Sequence, residues 1–566
     1  MNLRQLSTIL VFPLVLFSST AFPSAPGPIS AKHGMVVSAE RIASSVGRGI
    51  LEQGGNAVDA AVATGFALAV TFPEAGNIGG GGYMVIRMAD GRTTSFDYRE
   101  KAPEKATRDM FLDKEGHFLP SRSEHGFLSV GVPGSVAGLL GALEKYGTMS
   151  REQVLRPAIR LAEKGFPVGP GLVKVFDEKW KELQEYPATM RVFSKKGKPF
   201  REGDTLIQRD LAATLQRIAK SGKDGFYEGK TADYLVTSMK RGGGLISYQD
   251  LKAYRAIEKP VVEGTYRGYR ILSMGPSSSG GVVLIELLNL LERYNLAASG
   301  FGTPQTISLM AEAMKLAYAD RAEFLGDADF YPVPVKRLIS KEYADERAKL
   351  IDSAHATPSS KISHGTIPMP EETETTHYSV VDKWGNAVST TTTINSWFGC
   401  GIVVDGAGFF LNNEMDDFSG KPGTPNQYGL LGGIANSIQP NKRMLSAMTP
   451  TIVLKDDKPF LVVGSPGGST IITTVLQVIL NVVDHHMNVR DAVDAVRIHD
   501  QWYPDTLYYE HKGLSEKVVK SLVKRGYNVA ERPGYQGVVQ AILIDRKKGI
   551  LYGATDPRGH GAVAGY

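Results

Sequence analysis

A single cysteine, Cys400, stands in a chain of 566 residues. One thiol excludes an intramolecular disulfide and any cysteine-based metal site. Long apolar runs are also missing. "STILVFPLVLF" (7–17) and "VDAAVATGFALAVTF" (58–72) both fall short of the roughly 20 residues a membrane span needs, and Asp59 stands near the start of the second. Charge of one sign is not in excess: the formal net charge is +5, with Lys and Arg scattered along the chain. That leaves no basic stripe to hold nucleic acid. "GNIGGGGYM" is dense in glycine but lacks the Gly-Lys-Ser/Thr of a phosphate loop, and a strand follows it instead of a helix. His485 and His486 are adjacent, and neighbours on a helix point about 100° apart, which suits a shared metal poorly. No metal and no cofactor is expected, and no internal repeat is evident.

What is present begins with an export signal. Arg4 precedes the short apolar core, and small residues end at Ala21, the favoured cleavage point over Ala25, which Pro26 follows. Residues 1–21 are therefore expected to be removed, and export without structural disulfides suggests a bacterial periplasm. The composition, 42% hydrophobic and 22% charged, is that of a soluble globular enzyme. Residues 40–345 carry mostly helical signals, broken by one hairpin with an Asp-Gly turn at 83–100. Residues 352–374 are rich in Ser, Thr, Pro and Glu with no apolar period, and read as a flexible, exposed linker. Strands follow: "TTHYSVVDKWGNAVSTTTTI", "GIVVDGAGFFLNN", "TPTIVLKDDKPFLVVGS" and "GVVQAILIDRKKGILYGAT", separated by helices such as "ITTVLQVILNVVDHHM". Mixed strands with covering helices indicate a layered α+β fold.

The first of those strand pairs is crowded with hydroxyls. A three-residue "KWG" loop, with its glycine left-handed, pairs Asp382 with Asn386 and sets Thr375 opposite Thr393. Opposed residues have Cβ atoms about 4.5–5.5 Å apart, within reach of hydroxyl-to-hydroxyl hydrogen bonding. A four-residue loop would shift that register, and threonine favours strands in any case. The linker adds a second reading. A cut after Glu374 would make Thr375 an N-terminal residue, which carries a nucleophile and, in its α-amine of pKa about 7.7–8.0, a base.

The chain resembles the γ-glutamyltransferases, self-cleaving N-terminal-nucleophile hydrolases. The motifs that carry the resemblance are "ILEQGGNAVDAAVA", "GNIGGGGYMVIR", "DYREKAP", "GVPGSVAGL", "PSSSGG", "TTHYSVVDKWGNAVS", "LNNEMDDFS" and "VGSPGGS". The resemblance implies a four-layer αββα sandwich built jointly by two pieces, 22–374 and 375–566. It implies Thr375 as the nucleophile for both self-cleavage and catalysis, supported by Thr393. Arg99 would hold a γ-glutamyl α-carboxylate, for which a guanidinium fork is suited, together with Ser446. Asn395, Glu414 and Asp417 would take the α-ammonium, Gly467 and Gly468 would offer backbone N–H groups to an oxyanion, and Tyr428 would sit in a lid over 421–443. Substrates would be glutathione and other γ-glutamyl compounds, and acceptors water, amino acids or dipeptides. The two pieces would form a heterodimer, alone or as a dimer of heterodimers, with no nucleic-acid or membrane partner. Ala447 departs from the resemblance, standing where a second serine is common, and leaves open an acylase of shifted acyl specificity. A non-catalytic exported binding protein is the alternative from outside enzymology.

Overall fold

The hydroxyl-rich segment folds as its turn chemistry requires. The computed structural model describes residues 27–363, 375–532, 534 and 536–566. The export signal at 1–21 lies outside them, as does the end of the linker from 364 to 374. Thr376–Val381 pairs antiparallel with Ala387–Thr393, from Thr376↔Thr392 to Val381↔Ala387. The Asp382 N–H donates to the Asn386 carbonyl at 3.1 Å, and Gly385 has φ +90°. The loop is therefore the three-residue one, and the register continued by one residue sets Thr375 against Thr393. The Asp382 carboxylate, held by Trp384 and Asn386 N–H groups, also accepts from Ala57 N–H at 2.8 Å. A negative group thus sits at the N-terminus of the Ala57–Thr71 helix, where the helix dipole favours it.

That hairpin is the centre of a seven-stranded antiparallel sheet. Met35–Ser38 flanks it on one side and Gly81–Arg87 on the other, with Ala562–Gly565, Thr93–Asp97 and Ile257–Lys259 completing the order. A second seven-stranded antiparallel sheet runs Ile29–Ala31, Ile550–Thr555, Gln540–Asp545, Lys458–Gly464, Thr451–Lys455, Tyr269–Ser273 and Val262–Tyr266. The two pack face to face. Val37, Val85 and Ala387 from the first meet Leu272, Ile452, Val462 and Ile542 from the second, and alternation along each strand sends the intervening residues to the outer faces. Hydroxyls cross the gap as well: Ser389 Oγ donates to the Val463 carbonyl at 3.2 Å and accepts from Thr451 N–H at 2.9 Å.

Helices cover both outer faces. Arg41–Glu52 and Ala57–Thr71 pack on the first sheet; Gly280–Leu291 and Thr470–Val483 pack on the second, and Pro304–Phe324 packs against Gly280–Leu291. Ala57–Thr71 is buried along its whole length and is opened by a capping box of Asn56 and Asp59. Each fully buried Val, Leu or Ile of these layers contributes about 1.5–3 kcal/mol of burial. The result is the αββα sandwich. Among the described residues no helix is long and apolar enough to cross a membrane.

Four sequence expectations need correcting. Residues 40–345 hold more strand than their helical periodicity indicates, because Val262–Tyr266 and Tyr269–Ser273 form a tight hairpin whose turn residues Arg267 and Gly268 both have positive φ. "GIVVDGAGFFLNN" is no regular strand. It closes through one bridge, Val403↔Phe410, around Gly406 and Gly408. The start of the linker is docked instead of exposed: Ser359 and Ile362 are buried, and Ser359 Oγ donates to the Trp502 carbonyl at 2.6 Å while the Trp502 indole N–H donates back to the Ser359 carbonyl. The helix from Thr470 ends at Val483, so His485 and His486 follow it.

Candidate active site

Thr375 and Thr393 line one pocket at the end of the central hairpin. Both are nearly buried, at 6% and 3% exposure. Thr393 is held from two directions. Its Oγ accepts from Asn395 N–H at 2.7 Å, and its carbonyl accepts from Asn77 Nδ2 at 2.9 Å. Asn77 belongs to the glycine-dense "GNIGGGG" run, and the following glycines explain that composition. A Cβ on Gly80 would meet the Thr393 carbonyl oxygen at 2.1 Å, and one on Gly82 the Thr391 carbonyl oxygen at 2.4 Å. The run is a scaffold pressed against the threonine strand.

Arg99 follows the Thr93–Asp97 strand and is fully buried. It faces three carboxylates: Glu414 at 2.5 Å, Glu100 at 3.4 Å, and Asp417 in a short pair. Burial works against the guanidinium charge, but these neighbours override it and hold Arg99 above its ordinary range. Burial pushes Glu414 up to about 7, with Arg99 opposing and a Thr393 hydrogen bond also favouring the carboxylate. Burial and the nearby Glu414 push Glu100 well above the usual carboxylate range. Asp417 is raised too, again by burial, with Arg99 pulling it down.

The acidic run "NNEMDDF" places Glu414–Asp417 in a 3₁₀ turn, and the 421–443 loop closes over it. Asn426 Nδ2 donates to Asp417 Oδ1 at 3.1 Å, Gln427 N–H to Asp416 Oδ2 at 3.1 Å, and Asn436 Nδ2 to the Asp417 carbonyl at 2.7 Å. The Tyr428 hydroxyl donates to Asn395 Oδ1 in a short bond. Asn395 has φ +72°, a left-handed conformation that asparagine tolerates better than most residues. This loop is ordered against the pocket floor, and Tyr428 is buried under it.

Ser446 and Ala447 form another wall. Ser446 N–H donates to the Ser277 carbonyl at 3.1 Å, and its carbonyl accepts from Ser279 Oγ at 2.6 Å, so the "PSSSGG" segment supports it. Ala447 lines the cavity directly. Gly467 and Gly468 precede the Thr470–Val483 helix, with φ +137° and +50°. A Cβ on Gly467 would meet Thr470 Oγ1 at 2.6 Å, so glycine is required there. Gly468 reaches the cavity. Gly467 adjoins it as the chain neighbour of Gly468, and Glu414 through its pair with Arg99.

Of the ten site residues drawn from the sequence, eight line this one pocket, and Glu414 and Gly467 adjoin residues that do. Sequence reasoning missed Arg321, a second guanidinium on the cavity wall. The sequence carries only a weak cue, an arginine within "LAYADRAEF"; that this helix is buried from Thr306 to Arg321 is seen in the structure.

A threonine entering an inner strand between two helix-covered antiparallel sheets, facing such a pocket, is the arrangement of the N-terminal-nucleophile hydrolases. Within that class the chain belongs to the gamma-glutamyltranspeptidase family, whose model matches residues 43–566. It is 49% identical to a glutathione hydrolase proenzyme of Escherichia coli over 98% of this chain and 97% of the relative. Among solved structures, a cephalosporin acylase from Bacillus halodurans superposes with TM-score 0.85 at 29% identity, covering 99% of both chains. A Helicobacter pylori gamma-glutamyltranspeptidase chain gives TM-score 0.58 at 47% identity, covering 95% of that chain and 59% of this one.

Proposed function

We propose that this protein hydrolyses the γ-glutamyl amide of glutathione and related compounds, and passes the γ-glutamyl group to water, amino acids or dipeptides. The observation that carries the reading is that Thr375 and Thr393, just beyond the last ladder pair Thr376↔Thr392, line one pocket with Arg99, Asp417 and Gly468. The precursor cuts itself between Glu374 and Thr375. The Thr375 hydroxyl attacks the Glu374 carbonyl, the peptide N–C bond gives way to an ester, and water hydrolyses that ester. The solved Helicobacter pylori chain, nearly all of which matches only 59% of this one, supports a protein made of two pieces. So does the word proenzyme in the E. coli relative's name. The pieces 22–374 and 375–566 remain together as a heterodimer, and residues 1–21 direct export to the periplasm.

In turnover the freed α-amine of Thr375 accepts the Oγ proton as Oγ attacks the γ-carbonyl. Thr393 orients the nucleophile, and the Gly467 and Gly468 N–H groups receive the oxyanion at the positive end of the Thr470–Val483 helix. Collapse breaks the amide bond, the leaving amine takes the proton, and a γ-glutamyl ester on Thr375 remains for water or an acceptor amine. Arg99 and Ser446 hold the α-carboxylate. Asp417, Glu414 and Asn395 hold the α-ammonium, with Tyr428 closing above. Release of glutamate from glutathione, and faster anilide release from a γ-glutamyl anilide when a dipeptide is added, tests the reading. A protein that leaves both substrates intact disproves it.

Thr393→Ala removes a buried hydroxyl from the nucleophile. Leaving a buried hydroxyl without its partner costs about 1–3 kcal/mol, so kcat is expected to fall roughly 5- to 150-fold with KM little changed. An unchanged kcat rules out the pairing.

Glu414 gives a pH signature. Its carboxyl is neutral below about 7 and charged above, so capture of the α-ammonium should strengthen as pH rises through that value. KM for a γ-glutamyl anilide is expected to fall between pH 6 and 8, and the slope to flatten in Glu414→Gln. Parallel KM profiles for the two proteins remove Glu414 from this role.

A further inference from the structure

Arg99 and Arg321 both line the cavity, but their surroundings differ. Arg99 is matched by Glu100, Glu414 and Asp417. Arg321 is 4% exposed, and among the described residues no carboxylate stands within ion-pairing distance of it. Its Nε donates to Ser279 Oγ at 2.9 Å, and the same Ser279 hydroxyl donates to the Ser446 carbonyl at 2.6 Å. The guanidinium is therefore fixed beside the Ser446–Ala447 wall, on the stretch where Ala447 brings no hydroxyl to the pocket. Burial pulls Arg321 below its ordinary range while the nearby Asp417 opposes this. Arginine does not give up its proton in proteins. A buried, unmatched guanidinium is costly unless an anion completes it.

We propose that Arg321 is a specificity-determining residue: with Arg99 it contacts the α-carboxylate of the γ-glutamyl group, in place of a second wall hydroxyl. The inference rests on the γ-glutamyl reading above. It also explains the resting pair of Arg99 with Asp417. When substrate arrives, its carboxylate meets two guanidinium groups, and Asp417 is released toward the ammonium.

Three p-nitroanilides separate the possibilities: γ-glutamyl, glutaryl (no α-ammonium) and 4-aminobutyryl (no α-carboxylate). In Arg321→Gln, KM for the first two is expected to rise about ten-fold or more, the loss of a charged hydrogen bond, while KM for 4-aminobutyryl anilide and all kcat values stay within about two-fold. Arg321→Lys, which keeps charge but not the fork, should show the same pattern at smaller amplitude, and it carries the test if the glutamine variant does not fold. An equal rise for all three substrates, or a fall in kcat alone, assigns Arg321 to holding the wall and overturns the proposal. A parent enzyme that does not prefer γ-glutamyl over 4-aminobutyryl anilide instead overturns the reading of the substrate.

Discussion

Thr375→Ala is expected to yield one uncut chain, slightly below the 61.3 kDa of the full sequence once residues 1–21 are removed, where the parent separates into two bands on a denaturing gel. The substitution removes the hydroxyl assigned to attack on the preceding carbonyl, and with it the nucleophile of turnover. Loss of a covalent nucleophile commonly costs about four to six orders of magnitude in kcat. Residual hydrolysis near the uncatalysed rate and an intact chain are therefore expected together. Two bands of parental size from this variant would mean that another group cuts the chain. Fold should survive, because the strand begins at Thr376 and its ladder to Thr392 does not use the lost hydroxyl. Circular dichroism matching the parent checks that point.

Arg99→Lys should be nearly as damaging, by another route. The guanidinium spans Glu414 and Asp417 at once through its two terminal nitrogens, and an ammonium offers no such planar fork. One buried carboxylate loses its partner in the resting site, and the substrate carboxylate loses its bidentate contact. A deficit of about 2–4 kcal/mol, roughly 30- to 1,000-fold in kcat/KM, is expected on γ-glutamyl substrates. It should appear mainly in KM. The same kcat/KM for Arg99→Lys and parent on γ-glutamyl anilide would remove Arg99 from substrate recognition.

The threonine pair was legible from sequence because it depends on neighbours in the chain. A β-branched run, an Asp at the turn entry and a glycine at Gly385 fix the loop length, and loop length fixes the register. The Arg99 cluster was not legible on those grounds. Its partner Asp417 lies 318 residues away, and an arginine after a strand gives no local sign that it will be buried. Only the resemblance pointed there. Arg321 escaped for a related reason: helical periodicity reports which face packs, but not that an arginine on a fully buried helix opens onto a cavity. The Val262–Ser273 hairpin was hidden because Arg-Gly is a weaker turn signal than Asn-Gly or Asp-Gly. The wall position Ala447 could be flagged by sequence as a departure, yet whether it faced the pocket required the fold.

The placement of residue 375 within the sheets has a consequence for how the protein can be lost. Strands from before it, Met35–Ser38 and Gly81–Arg87, clasp the hairpin that follows it on both sides, and Tyr269–Ser273 extends the other sheet from Thr451–Lys455. Once the chain is cut there, neither fragment owns a complete hydrophobic layer. Native protein would melt as one body, but two fragments diffusing apart must find each other again, so recovery becomes second order in concentration while melting stays first order. The mature protein is thereby durable by a slow exit and not by a reversible balance: diluted after denaturation, it should fail to return under conditions in which the uncut Thr375→Ala chain refolds.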